Sequence, residues 1–201
     1  MRGLRLLAAA VLAAALPGLA PTHAVAQDAA RGAELAAARN CGSCHGANGR
    51  SEIEDIPSLA GQQADYVTLQ MILFREGIRQ VPAMNQFAAG MADKDIEDLA
   101  AHYASLPPGP PEDRRPTDAA LIAAGQALTG PRNCGVCHLP GYVGRNQVPR
   151  IAAQREEFLA RAMTEYRDGK RVGIDTQMNS AVFGMSDSDI AALAHYLAQR
   201  D

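Results

Sequence analysis

Tryptophan is absent from this chain, and its nine aromatic residues, five tyrosines and four phenylalanines, are few for 201 residues. Large rings supply much of the buried area in a core, so something other than aromatic side chains must complete the interior. Long apolar runs are scarce as well: the one candidate, Leu4 to Leu16, is too short to span a bilayer comfortably. Positive charge is not in excess. With 19 basic and 22 acidic residues the formal charge is −3, which argues against nucleic acid as a partner. No Ser/His/Asp constellation, phosphate-binding glycine loop or carboxylate pair points to a reaction. Cysteine is limited to four residues, and these fall in two tight pairs.

Those pairs are the most informative residues present. Cys41-Gly42-Ser43-Cys44-His45 and Cys134-Gly135-Val136-Cys137-His138 are two copies of C-x-x-C-H, 93 residues apart. The three-residue offset puts both sulfurs on one side of a helical turn, where they can form thioethers with the two vinyl groups of one haem. The adjacent histidine then reaches the iron as its proximal ligand. A zinc site built from two C-x-x-C pairs would leave the histidine after each pair unexplained. A thioredoxin-like reading of the first pair fails for want of a surrounding βαβ pattern. The motifs therefore predict two covalently attached haem c groups, whose macrocycles supply the missing core.

The start of the chain reads as a secretory signal, residues 1–26. Arg2 and Arg5 form a basic n-region, Leu4 to Leu16 the apolar stretch, and Ala24-Val25-Ala26 an A-x-A cleavage site. An uncleaved membrane anchor is the competing reading. Covalent haem attachment in bacteria takes place outside the cytoplasmic membrane, so export to the periplasm agrees with the cysteines. Without Arg2 and Arg5 the formal charge becomes −5. The charge is uneven: residues 27–106 carry 6 basic and 11 acidic side chains, residues 117–201 carry 9 of each. Two halves so different are expected to face different partners.

Five prolines in Pro107–Pro116 divide the chain with an extended, fairly stiff linker (107–116) that cannot continue a helix. The flanking segments, 27–106 and 117–201, are copies of one unit. Pro57-Ser58-Leu59-Ala60-Gly61-Gln62 matches Pro149-Arg150-Ile151-Ala152-Ala153-Gln154, Tyr66 matches Phe158, and Phe74 matches Tyr166. Gly77-Ile78-Arg79 matches Gly169-Lys170-Arg171, and Met91-Ala92-Asp93-Lys94-Asp95-Ile96 matches Met185-Ser186-Asp187-Ser188-Asp189-Ile190. Such self-similarity predicts a duplicated domain with one haem per copy. Each copy reads as all-α, with three main helices at roughly 28–39, 62–76 and from 93, repeated at 117–129, 154–168 and from 186. Gly77 and Gly169 stop the second helix, and Ser186 with Asp189 resembles a capping box on the last.

The sixth iron position separates electron transfer from chemistry on a bound molecule. All six methionines after Met1 occur as repeat pairs. Met71 and Met163 fall inside the second helix, as core filler. Met91 and Met185 stand where a hydrophobic staple would reach Ile96 and Ile190. Met84 and Met178 remain, each expected in a non-helical segment that can fold across the haem face, with a buried loop anchor as the other reading. His102 and His195 both lie 57 residues after the proximal histidine of their half. Aligned on the Asp-x-Asp-Ile helix starts, however, they occupy different faces, which predicts packed or surface histidines. Arg79 and Arg171 are either forked partners for haem propionates or solvated arginines. Pro57 and Pro149 are expected to shape the loop on the proximal side.

Taken with the signal sequence, the CGSCH and CGVCH motifs, IPSLAGQ with VPRIAAQ, GIR with GKR, and the loop methionines, the chain resembles the cytochrome c4 family. The resemblance covers nearly the whole chain after the signal. It implies two tandem class I cytochrome c domains, all-α, each wrapping one haem c with His/Met iron. It further implies a non-enzymatic periplasmic carrier that takes electrons from a cytochrome bc complex or a dehydrogenase and passes them towards a terminal oxidase. Membrane association would be peripheral at most. The second copy departs from the pattern at Ala153, where the first has Gly61, and its loop before Met178 is two residues longer. Two other readings compete: an electron-accepting subunit of a periplasmic dehydrogenase complex, and a dihaem peroxidase with one open iron position.

Overall fold

The structure, a computed structural model, describes residues 27–171 and 176–201; the expected signal peptide lies outside them. The first half contains α1 (Ala29–Ala38), α2 (Gly42–His45), α3 (Ala64–Arg75), α4 (Pro82–Ala88) and α5 (Asp93–Ser105). The second half repeats them as α6 (Ala119–Thr129), α7 (Cys134–His138), α8 (Glu156–Arg167), α9 (Thr176–Val182) and α10 (Asp187–Ala198). A 3-10 turn, Pro140–Tyr142, follows α7. Among the described residues the one β feature is an isolated bridge between Arg145 and Val148.

Local chemistry explains the helix ends. The Asp28 carboxylate accepts from the Ala30 and Arg31 N–H groups, both at 3.0 Å, and Asp118 repeats this at α6 with Ala120 and Leu121. Gly77 and Gly169 have φ of 66° and 67°, and the residue after each donates back to the carbonyl of Leu73 or Glu165. At α10 the Ser186–Asp189 capping box is formed in both directions.

In each half the first and last helices cross at a glycine. A Cβ built on Gly32 would lie 1.9 Å from the Asp98 carbonyl oxygen, and one on Gly125 would lie 2.2 Å from that of Ala192. Only a residue without a side chain lets the backbones approach so closely. Behind these crossings lie two cores, one holding Met91, Ile96, Leu99 and Tyr103, the other Met185, Ile190, Leu193 and Leu197. Asp98, buried at the first crossing, takes the Asp28 N–H at 2.7 Å and the Arg31 guanidinium at 2.5 Å, and also pairs with Lys94. The corresponding residue in the second half is Ala192.

The halves meet through matching residues. The Gln154 amide accepts from the Ser58 N–H at 2.8 Å and donates to the Ser58 carbonyl at 2.9 Å. Gln62 does the same to Arg150, at 2.7 and 3.0 Å. Arg155, 3% exposed, fastens the linker: it holds Asp113 by a fork at 2.7 and 3.0 Å and donates to the Ser51 carbonyl at 2.9 Å. No described helix is long and apolar enough to cross a membrane.

Candidate haem-binding site

Each C-x-x-C-H segment forms the short helix that its spacing predicts. Asn40 and Asn133, immediately before it, take φ of 53° and 55°, a left-handed conformation that asparagine tolerates. The four cysteines are unpaired and half-buried. Burial pushes the Cys41 and Cys134 thiols up. His45 and His138 are buried, and their Nδ1 atoms lie 2.9 Å from the Pro57 and Pro149 carbonyl oxygens. A ring that donates from Nδ1 keeps Nε2 unprotonated for a metal. Burial lowers the His45 pKa against the opposing pull of the Pro57 carbonyl, which favours the neutral ring.

One cavity of about 320 Å³ joins the halves. His45, His138, Met84 and Met178 line it, with Cys41, Cys44, Arg79 and Arg171; Cys134 and Cys137 lie outside this lining on α7. Two of the expectations for the methionine segments change. Met84 and Met178 do not sit in non-helical loops but on α4 and α9. For α4 the reason is local: Pro82 opens the helix at its first turn, where its missing N–H costs nothing. The Asn85 side chain accepts from the Val81 N–H at 2.7 Å. Met71, Met91 and Met163 also reach the cavity wall, yet Met91, Met163 and Met185 are buried in the cores described above, with Ile96 and Ile190 against their staple methionines.

The rival histidines are elsewhere. His102 packs beside the Tyr103 ring, 5.0 Å between centroids. His195, 2% exposed, has both nitrogens engaged: Nε2 accepts from the Asp118 N–H at 3.0 Å and Nδ1 lies 2.9 Å from Glu156. Neither lines the cavity.

Arg171 is buried and Arg79 half-buried. Arg79 stacks on Phe74 at 4.7 Å and donates to Gln70 at 2.6 Å; Arg171 stacks on Tyr166 at 4.7 Å and donates to the Tyr66 hydroxyl at 3.1 Å. Among the described residues neither forms an ion pair with a carboxylate. Burial, then the nearby Arg171 charge, pushes Arg79 down to about 10. Two cations that feel each other's charge on one largely apolar cavity wall, Arg171 buried and Arg79 half-buried, call for anions there. Propionate carboxylates meet that need, the cysteine pairs supply attachment, and the imidazole and thioether groups suit iron, so the residues present fit haem.

Some supporting residues had no expectation attached. Arg39 Nη1 donates to the Phe87 carbonyl at 3.3 Å, tying α4 to the chain before Cys41. Arg132 repeats this at the end of α9, with the carbonyls of Ala181 at 3.3 Å and of Phe183, just beyond it, at 2.8 Å. Arg75 joins the end of α3 to the Met91 carbonyl and Asp93, and Arg167 joins α8 to Met185 and Asp187. These pairs recur at matching positions, which is the signal in the sequence that could have found them.

Comparison with known proteins finds cytochrome c domains in both halves. Residues 27–102 match the family model described as cytochrome C oxidase, cbb3-type, subunit III, and residues 122–201 match cytochrome c. The chain is 36% identical to cytochrome c4 of Pseudomonas aeruginosa, across 96% of this chain and 97% of that protein. It is 32% identical to a thiosulfate dehydrogenase electron acceptor of Stutzerimonas stutzeri, across 81% and 79%. The crystal structure of reduced recombinant cytochrome c4 from Pseudomonas stutzeri superposes with a TM-score of 0.79 at 29% identity, covering 88% of this chain and all of that one. With two tandem all-α cytochrome c domains, each bearing one C-x-x-C-H site for a haem c, the chain belongs to the cytochrome c4 family.

Proposed function

We propose that the protein is a periplasmic electron carrier in which His45 with Met84, and His138 with Met178, hold two closed irons. The observation that carries this reading is the single cavity lined by both histidines and both methionines, each histidine fixed through Nδ1 to a proline carbonyl. Cys41, Cys44, Cys134 and Cys137 attach the two haems, and Arg79 and Arg171 receive their propionates. Each haem, when bound, supplies a one-electron couple. The chain's own part is to exclude water, fix imidazole orientation and close the sixth position, which suppresses reaction with oxygen or peroxide. The domains are residues 27–106 and 117–201, joined by 107–116 after removal of 1–26. A quinol-oxidising cytochrome bc complex or a dehydrogenase is the donor, and a terminal oxidase the acceptor.

The visible and near-infrared spectrum, with a pyridine haemochrome count, tests this. Two haems per chain, a Met–Fe(III) charge-transfer band and no response to carbon monoxide are expected. An iron that binds carbon monoxide would replace the carrier with a peroxidase or sensor. The likeness to a thiosulfate dehydrogenase electron acceptor favours one second reading, a dedicated acceptor for a periplasmic dehydrogenase. Co-purification with a catalytic subunit would select it.

A further inference from the structure

The interdomain glutamines do more than join two surfaces. The Pro57 carbonyl that faces His45 Nδ1 and the Ser58 N–H that Gln154 accepts belong to the same peptide group. Likewise the Pro149 carbonyl that faces His138 and the Arg150 N–H that Gln62 accepts share one peptide. Each buried histidine therefore ends a hydrogen-bonded chain: ring N–H to carbonyl, across a peptide, then N–H to a glutamine of the opposite domain. Gln62 and Gln154 are each 6% exposed, so water does not compete for these bonds. Their orientation is fixed too. Each Oε1 also accepts the N–H of the next residue in its own domain, Gln63 at 3.0 Å and Arg155 at 2.9 Å, and each Nε2 donates across the interface.

We infer that Gln62 tunes the iron ligand His138, and Gln154 the iron ligand His45, so that each domain sets the potential of the other's haem. This rests on the axial assignment of the two histidines proposed above. An acceptor on a peptide N–H shifts electron density onto that peptide's carbonyl oxygen, because hydrogen bonds in a chain polarise one another. A more negative carbonyl pulls harder on Nδ1–H and makes the imidazole the stronger donor to iron. A stronger donor favours the oxidised state. Gln62 and Gln154 are positioning residues, and removing either amide raises the potential of the haem it does not share a domain with.

The test uses the holoprotein with 15N-labelled histidine. Ring Nδ1–H resonances are read in the reduced state, and the two haems are resolved by their methyl resonances during a redox titration. Gln62→Met should move the His138 Nδ1–H resonance and leave His45 in place. At fixed ambient potential it should change the oxidised-to-reduced ratio of the second haem by about threefold, roughly 28 mV upward at 59 mV per tenfold. Gln154→Met should give the mirror result on His45 and the first haem. Gln62→Glu, which keeps an oxygen for the Arg150 N–H, should not raise the potential, and it remains informative if the methionine variant folds poorly. Asp113→Asn, which weakens the Arg155 fork but leaves both chains intact, should leave the two Nδ1–H resonances in place. A shift confined to the variant's own domain, equal shifts in both, or no shift overturns the inference. Wild-type protein without iron-bound signals from His45 and His138 overturns the axial assignment instead, and the inference with it.

Discussion

The crossing of α6 and α10 at Gly125 provides a severe test of how the second domain is built. Gly125→Ala adds a Cβ 2.2 Å from the Ala192 carbonyl oxygen and 2.6 Å from the Tyr196 Cβ. Ordinary contact begins near 3.4 Å, so α6 and α10 must separate by more than an ångström. Overpacking costs about 1–3 kcal/mol, and the top of that range, about 3, applies here because the rigid groups are backbone and cannot swing aside. Alanine returns about 0.8–1 kcal/mol in helix propensity, leaving a net loss of about 2 kcal/mol. For a domain of this size that lowers Tm by about 8–16 °C. Gly130→Ala is the control: Gly130 has ordinary right-handed φ and nothing within 4 Å of its built Cβ, so it should be neutral or stabilising. The assay is thermal unfolding of the holoprotein, followed by far-ultraviolet circular dichroism and Soret absorption. A Gly125→Ala protein melting with wild type would refute the idea that the crossing is set by backbone contact.

Three more outcomes are expected. Met84→Ala and Met178→Ala should each admit carbon monoxide at one haem and lower its potential, the first in the N-terminal domain, the second in the C-terminal; difference spectra check this. Ala153 holds φ of 56° where the first domain has Gly61 at 66°, so Ala153→Gly should stabilise the second domain by about 0.5–1 kcal/mol in denaturant unfolding. Asp98, with its pKa lowered to about 2 by Lys94, the Asp28 N–H and Arg31, contributes stability that is fully present above its ordinary value of 3.8 and lost as pH falls through about 2. Asp98→Asn should therefore destabilise at neutral pH and converge on wild type in acid melts.

Local chemistry made much of this legible. Helix ends set by Asp28, Gly77 and the Ser186–Asp189 box, and staples from Met91 and Met185, each depend on neighbours within a few residues. The helix over Met84 was written there too, in Pro82, but a seven-residue element has too little periodicity to separate it from loop. Partners 88 or more residues away could not be read. The repeat of Pro57–Gln62 at Pro149–Gln154 pairs Gln62 with Gln154 in sequence, yet nothing in either copy says that each glutamine bonds the backbone of the opposite copy. The glycines at 32 and 125 sit in alanine-rich helices where a small residue draws no notice until the crossing helix is known.

Because Gln62 reaches Arg150 while Gln154 reaches Ser58, and these are equivalent positions of the repeat, the interface is self-complementary. A single unduplicated copy carrying this proline–glutamine element could pair with itself through the same bonds. Gene fusion would then have replaced a concentration-dependent dimer with a permanent one, and freed each half to diverge. Tyr66 opposite Phe158, and Asp98 opposite Ala192, are the kind of asymmetry that a homodimer is forbidden and a fused pair is allowed.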